Sequence, residues 1–163
     1  MDKTCCFTGH RPGKLAWGGD ERDPRCQALK LEIAARLNGI VQAGYRHFIC
    51  GMAEGCDLYF AEAVLELRSR FPDVTLEAAI PCDRQADKWS TAQQRRYEHI
   101  MAESDTVTFV QHQYSPGCMM RRNRYMADRS SLLLACFDGQ SGGTMNTILY
   151  AQRRGLKVIF IDL

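Results

Sequence analysis

Leu132-Leu133-Leu134-Ala135-Cys136-Phe137 runs directly into Asp138-Gly139-Gln140-Ser141-Gly142-Gly143-Thr144, and then into Met145-Asn146-Thr147-Ile148-Leu149-Tyr150-Ala151. The first block has strand length and is apolar on both faces, as a strand covered on both sides of a parallel sheet is. The last block repeats apolar residues at Met145, Ile148, Leu149 and Ala151, a helical spacing that predicts a helix over 144–154 stopped by Gly155. Between them lies a turn of glycines and hydroxyls. A buried strand, a glycine turn and an amphipathic helix make the repeating unit of an α/β sheet.

The same unit recurs along the chain. Strand-like runs are read at 4–7, 47–50, 74–80, 106–110 and 158–161, besides 132–137. Helical spacing fills the gaps: Leu29, Ile33, Leu37, Ile40 and Val41 within 26–43, ended by Gly44; Leu58, Ala61, Val64 and Leu65 within 57–70, ended by Pro72; and Tyr97, Ile100 and Met101 within 90–103. Pro116 is expected to open a further helix reaching Asp128. Such alternation implies right-handed βαβ crossovers. The expected fold class is α/β: a Rossmann-like three-layer sandwich with a mostly parallel sheet of about six strands. Residues 1–163 are read as one domain, since this length suits a single core. The segment from Arg11 to Pro24, with Gly13, Gly18 and Gly19, is expected to be a long, loose first loop.

Bulk composition narrows the function classes. With 45% hydrophobic and 25% charged residues the chain reads as a soluble globule, and no apolar run suits a membrane span. Met1-Asp2-Lys3-Thr4 enters a strand with no signal peptide before it. A net charge of +2 and 9% aromatic residues place nucleic acid last among the partner classes. Eight cysteines without a CxxC pair, several in strand-like runs (Cys6, Cys50, Cys136), read as buried reduced thiols. The expected compartment is therefore the cytoplasm, with neither a disulfide framework nor a metal site. A homo-oligomer stays open.

In open α/β sheets ligands bind beyond the carboxyl ends of the strands, so the residues after each apolar run carry the search. Thr8-Gly9-His10-Arg11 offers close backbone approach, a proton-transfer group and a guanidinium fork. Gly51-Met52-Ala53-Glu54-Gly55-Cys56-Asp57 is a tight turn before a helix. It can aim amides at an anion, or be a plain turn with Asp57 as helix cap. Ser141-Gly142-Gly143-Thr144, with Thr147, is a second candidate anion nest. Within Arg121-Arg122-Asn123-Arg124, Arg122 and Asn123 are the pair expected to grip a phosphate or base edge. After Pro81-Cys82-Asp83, Trp89 can stack on a base or pack on the core. Glu54, Asp57, Asp83 and Asp138, with His10, are the candidate catalytic groups should the protein cleave a bond.

Taken in order, Thr8-Gly9-His10-Arg11, Gly51 to Asp57, Ile80-Pro81-Cys82 with Trp89, Arg122-Asn123 with Tyr125-Met126, and Gly142-Gly143-Thr144 resemble the YpsA-like branch of the SLOG superfamily. DprA and the Lonely Guy phosphoribohydrolases are relatives of that branch. The resemblance spans almost the whole chain. It implies a Rossmann-like domain with a ligand site made from the second and last glycine turns, and a nucleotide or nucleotide derivative as ligand. Gly51 to Asp57 is similar to DprA's SGLAxGxD element, and Ser141 to Thr147, with Ala151 and Gly155, to its SGSLxTA segment. The Lonely Guy signature PGGxGTxxE is not matched: its catalytic glutamate falls on Thr147 in one register and Leu149 in the other, and neither moves protons.

Three functions compete. The leading expectation is a sensor or regulatory module that binds a small nucleotide-type ligand and needs no firmly implied cofactor. The alternatives are an enzyme cleaving an N-glycosidic or phosphate bond in a nucleotide, and a DprA-like binder of single-stranded nucleic acid. Hydride transfer is disfavoured because GxGxxG is absent after the first strand.

Overall fold

A computed structural model describes residues 3–163; the reading of the Met1-Asp2 start lies outside the described residues. Six strands, β1 (Thr4–Thr8), β2 (His47–Cys50), β3 (Thr75–Ile80), β4 (Thr106–Phe109), β5 (Leu132–Phe137) and β6 (Lys157–Asp162), alternate with five helices. The helices are α1 (Pro24–Gln42), α2 (Cys56–Leu67), α3 (Thr91–Glu103), α4 (Cys118–Asp128) and α5 (Gly143–Arg153). The sheet is parallel throughout, in the order β4-β3-β2-β1-β5-β6. The chain steps outward from β1 to β4, then returns to place β5 on the free side of β1. That reversal opens the crevice at which such sheets bind ligands.

Strand alternation sorts the core into two layers. Cys5, Phe7, Phe48, Leu76, Leu134 and their neighbours face one side and pack with α1, α2 and Ile100 of α3. Cys6, Ile49, Ala79, Leu133 and Ala135 face the other and pack with α4 and α5 through Met126, Ile148 and Ala151. The stacked rings of Phe7 and Phe60, 4.5 Å between centroids, anchor the first layer.

Boundaries shift where local chemistry dictates. Asp23 caps α1, accepting from the Arg25 amide, and Pro24 occupies the first turn. Gly117, left-handed at φ 86°, is the cap of α4, so the helix starts at Cys118, two residues after Pro116. The first loop is not loose. Residues Pro12–Lys14 form a 3-10 turn, and Trp17 Nε1 donates to the Tyr59 hydroxyl at 3.3 Å. Glu21 pairs with Lys30 and Arg96, and Arg96 also pairs with Glu62, so the loop is fastened to α1, α2 and α3. No helix among the described residues is long and apolar enough to cross a membrane.

Glu77 stands inside β3 on the α4 side, buried and fully engaged. It accepts from Tyr125 Oη (2.6 Å) and Thr108 Oγ1 (2.9 Å), and its Oε1 meets His47 Nε2 at 2.9 Å. Burial works against its charge, but these three donors outweigh it and hold the carboxyl at about 2. A depressed folded value contributes stability that is complete above the unfolded carboxyl range near 4.3 and is lost as pH falls through the folded value. Glu77→Gln is therefore expected to be less stable than wild type at pH 7. That difference should shrink between about pH 4.5 and pH 2, read as urea midpoints by circular dichroism at each pH. A Cβ on Gly9 would lie 2.6 Å from Cys56 Cβ and 3.1 Å from the Phe7 ring. Both neighbours are fixed in the core, so Gly9→Ala should cost about 2 kcal/mol in the same unfolding experiment.

Candidate functional site

The strand ends at the reversal enclose a cavity of about 430 Å³. Its lining comes from four segments: Thr8, Gly9, His10 and Arg11 with Gly13 and Lys14 after β1; Ala53 and Asp57 after β2; Met119, Arg122 and Asn123 on α4; and Gly143 and Thr144 at the start of α5. Residues far apart in sequence thus meet because β1, β2 and β5 are adjacent and parallel.

Arg122 forms the floor. It is 3% exposed. Its Nη1 donates to the carbonyls of Gly51 and Ala79, and Nε donates to Asn123 Oδ1 at 2.9 Å. Among the described residues Nη2 has only the Met119 sulfur, at 3.9 Å. Burial lowers the pKa of the guanidinium, and the charge of Asp57 opposes that shift; a guanidinium nonetheless stays charged at any working pH. Glycine at 51 is required, since a Cβ there would sit 2.6 Å from Arg122 Cζ.

The two glycine turns play unequal parts. In the turn after β2, the Met52 amide faces Cys50 Sγ, the Ala53 amide donates to Asp57 Oδ2 at 3.1 Å, and the Cys56 amide donates to the His10 carbonyl at 3.2 Å. Asp57 therefore braces its own turn; Gly55, at φ 88°, stands at the cap position of α2. A Cβ on Gly55 would lie 2.7 Å from the His10 carbonyl, so this glycine lets the first loop pass. Met52 holds a left-handed φ of 61°, costly for a side chain of its size. Gly51, Met52 and Gly55 shape the site from behind without lining the cavity. Burial raises the Asp57 carboxyl, against the pull of Arg122, the Ala53 amide and Arg11.

At α5 the amides are free. The Asn146 amide bonds the Gly142 carbonyl, while those of Gly143, Thr144 and Met145, the first turn of a helix, find no acceptor among the described residues. Lys14 Nζ reaches this turn: a Cβ on Gly142 would lie 2.6 Å from it. Neither the Lys14 ammonium nor the Arg11 guanidinium makes a hydrogen bond or ion pair among the described residues. His10, 4% exposed, takes the Cys56 amide on its carbonyl and turns its ring to the segment between β5 and α5. Its Nδ1 lies 3.3 Å from Thr144 Oγ1, and its Nε2 lies 3.0 Å from Asp138 Oδ1. The second contact is an ion-pair approach without an aligned hydrogen bond, which leaves Nε2 without a bonded partner. The Gln140 amide, and then His10, lower the Asp138 carboxyl.

The remaining sequence candidates fall elsewhere. Thr147 is buried one turn into α5, donating to the Gly143 carbonyl at 2.9 Å, and Ser141 stays exposed on the approach. Glu54 and Trp89 line a neighbouring slot instead. Asp83 is bound to His112 at 2.7 Å on the far side of β3. Arg121 turns to Gln111, and Arg124 lies over the Tyr150 ring. Lys14, Gly13 and Met119 were not singled out from sequence. The lysine's only local signal was its place two residues after Arg11-Pro12 in a glycine-bearing loop. No group of three or more His, Cys, Asp or Glu side chains among the described residues is placed to share a metal ion.

Comparison with known proteins follows the same outline. The UPF0398 protein of Bacillus pumilus strain SAFR-032 is 28% identical over 144 residues, 87% of this chain and 77% of that protein. That of Bacillus thuringiensis strain Al Hakam is 26% identical over 154 residues, 93% of this chain and 83% of that one. Among solved structures, DNA processing protein A from Helicobacter pylori, studied for its single-stranded DNA binding mode, superposes with a TM-score of 0.61 at 17% identity. The match covers 96% of this chain but 64% of that one, and at this identity the likeness is one of fold. The sequence profile of the YspA SLOG family (YpsA) matches residues 5–156, nearly the whole described domain, and the chain belongs to that family.

Proposed function

We propose that the protein binds a phosphate-bearing nucleotide or nucleotide derivative in the cavity at the β1/β5 reversal. The observation that carries this reading is Arg122: a buried cation with one nitrogen that meets no oxygen acceptor among the described residues, lining an open cavity. Burying an unpaired charge is costly, and an anionic guest supplies the missing partner. Three features surround it with the same preference: the free amides of α5, the unpaired Lys14 and the unpaired Arg11. The volume suits a nucleotide-sized ligand. Family membership and the fold of a protein studied for binding single-stranded DNA support a nucleotide or nucleic-acid module; a net charge of +2 favours the small ligand.

Isothermal titration against AMP, NAD, ADP-ribose and pyrophosphate tests this, with a labelled oligonucleotide as the nucleic-acid arm. Lys14→Ala, at an exposed position, is expected to weaken binding about tenfold, the scale of one charge-assisted hydrogen bond, with unchanged thermal stability. No binding at millimolar ligand, or a Lys14→Ala protein that binds as wild type does, defeats the proposal.

One observation favours a second reading, cleavage of an N-glycosidic bond: the Asp57 carboxyl lines the same cavity, beside His10. A carboxylate near the ribose stabilises an oxocarbenium-like transition state. Chromatography of nucleoside monophosphates incubated with the protein should then show free base, and Asp57→Asn should reduce its release by at least about a hundredfold. Unchanged nucleotides rule this reading out.

A further inference from the structure

Beside the main cavity lies a smaller slot of about 120 Å³, between the first loop, the turn after β2 and the segment joining β3 to α3. The two spaces share Arg11, Ala53 and Met119, so a single ligand can occupy both. The slot differs from the cavity in chemistry. Its walls include the Pro12 ring, the Trp89 indole and the Met119 thioether, flat or polarisable surfaces suited to a planar ring. The indole is fixed edge-to-face on Tyr97, at 5.2 Å between centroids.

Besides the donors of Arg11 and the Trp89 indole, the slot offers two side chains that accept hydrogen bonds. Glu54 presents a carboxylate that makes no hydrogen bond or ion pair among the described residues. Gln85 directs its amide nitrogen toward the Gly51 carbonyl, at 3.4 Å, and the Tyr97 hydroxyl. Its Oε1 is left buried with no donor among the described residues. Buried acceptors without donors are rare in folded proteins and point to a function or a guest.

We infer that this slot is a nucleobase subsite selecting bases with an exocyclic amino group, the phosphate of the same nucleotide lying in the main cavity. This inference rests on the phosphate reading above. The aromatic and thioether walls take the faces of the ring. Glu54 and Gln85 take N–H donors at its edge. An oxo group at the same ring position would set acceptor against acceptor, which a site built for donors rejects. Adenine and cytosine therefore bind in preference to hypoxanthine and uracil.

The test is calorimetric titration of the full chain with ribose 5-phosphate, AMP, IMP, CMP and UMP. AMP is expected to bind about tenfold more tightly than ribose 5-phosphate, and AMP and CMP about tenfold more tightly than IMP and UMP. Trp89→Leu should bring AMP down to the affinity of ribose 5-phosphate while leaving ribose 5-phosphate itself unchanged. Glu54→Gln, at a partly exposed position, should erase the gap between AMP and IMP. If ribose 5-phosphate binds as well as every nucleotide, or amino and oxo bases bind alike, the base subsite is wrong and the phosphate site stands. If Trp89→Leu weakens ribose 5-phosphate and AMP equally, the indole supports the fold and the subsite is again wrong. If no compound binds, the phosphate reading falls and takes the subsite with it.

Discussion

A guanidinium buried against main-chain carbonyls organises this protein. Arg122 enters from α4 and spends its donors on Gly51 after β2, on Ala79 in β3 and on its neighbour Asn123. That arrangement joins one helical layer to the ends of two strands. It also places a permanent positive charge where a parallel sheet already gathers the positive ends of its helices. The absence of a side chain at residue 51 makes the approach sterically feasible. The nearby acid, Asp57, is committed to the Ala53 amide, so the cation is not neutralised by a direct ion pair.

From that constraint follows a division of labour between two turns that look alike on paper. The turn after β2 is architectural. Its glycines make room for Arg122 and for the His10 carbonyl, and several of its amides are spent inside the protein. The turn before α5 is receptive, with open amides and a lysine brought over it from the first loop. His10 stands between them: its carbonyl accepts from the Cys56 amide of the first turn, and its ring meets Asp138 and Thr144 at the two ends of the second. A change in either turn is therefore felt at one residue.

Much of this was legible in the amino-acid sequence, because strand length, helical spacing and glycine turns are local signals. The runs around Leu132–Phe137 and His47–Cys50 report burial on two faces, and the helices read from residues 26 and 144 start at Pro24 and Gly143. The cavity-lining groups at Thr8–Arg11 and Gly143–Thr144 were legible for the same reason: they stand where such elements end or begin; Arg122–Asn123, inside α4, was legible as part of a cluster of arginines. What escaped depends on distance. Lys14 carries no motif, and its place over Gly142 exists only after β5 returns beside β1. The first loop looked loose because its glycines are local, whereas its fastening through Trp17, Glu21 and Arg96 is tertiary. Trp89 and Glu54 share a slot that no spacing encodes. Glu77 was not singled out within the run 74–80, and its three donors come from β2, β4 and α4.

The eight cysteines are all free and all buried. Burial pushes the thiols of Cys5 and Cys50 well above their ordinary range and that of Cys6 up to about 12. Since the thiolate is the reactive form, these sulfurs are chemically silent while the fold is closed. Alkylating reagents and peroxide must wait for the sheet to open. The rate at which these three thiols are modified is then a clock for the opening of the sheet.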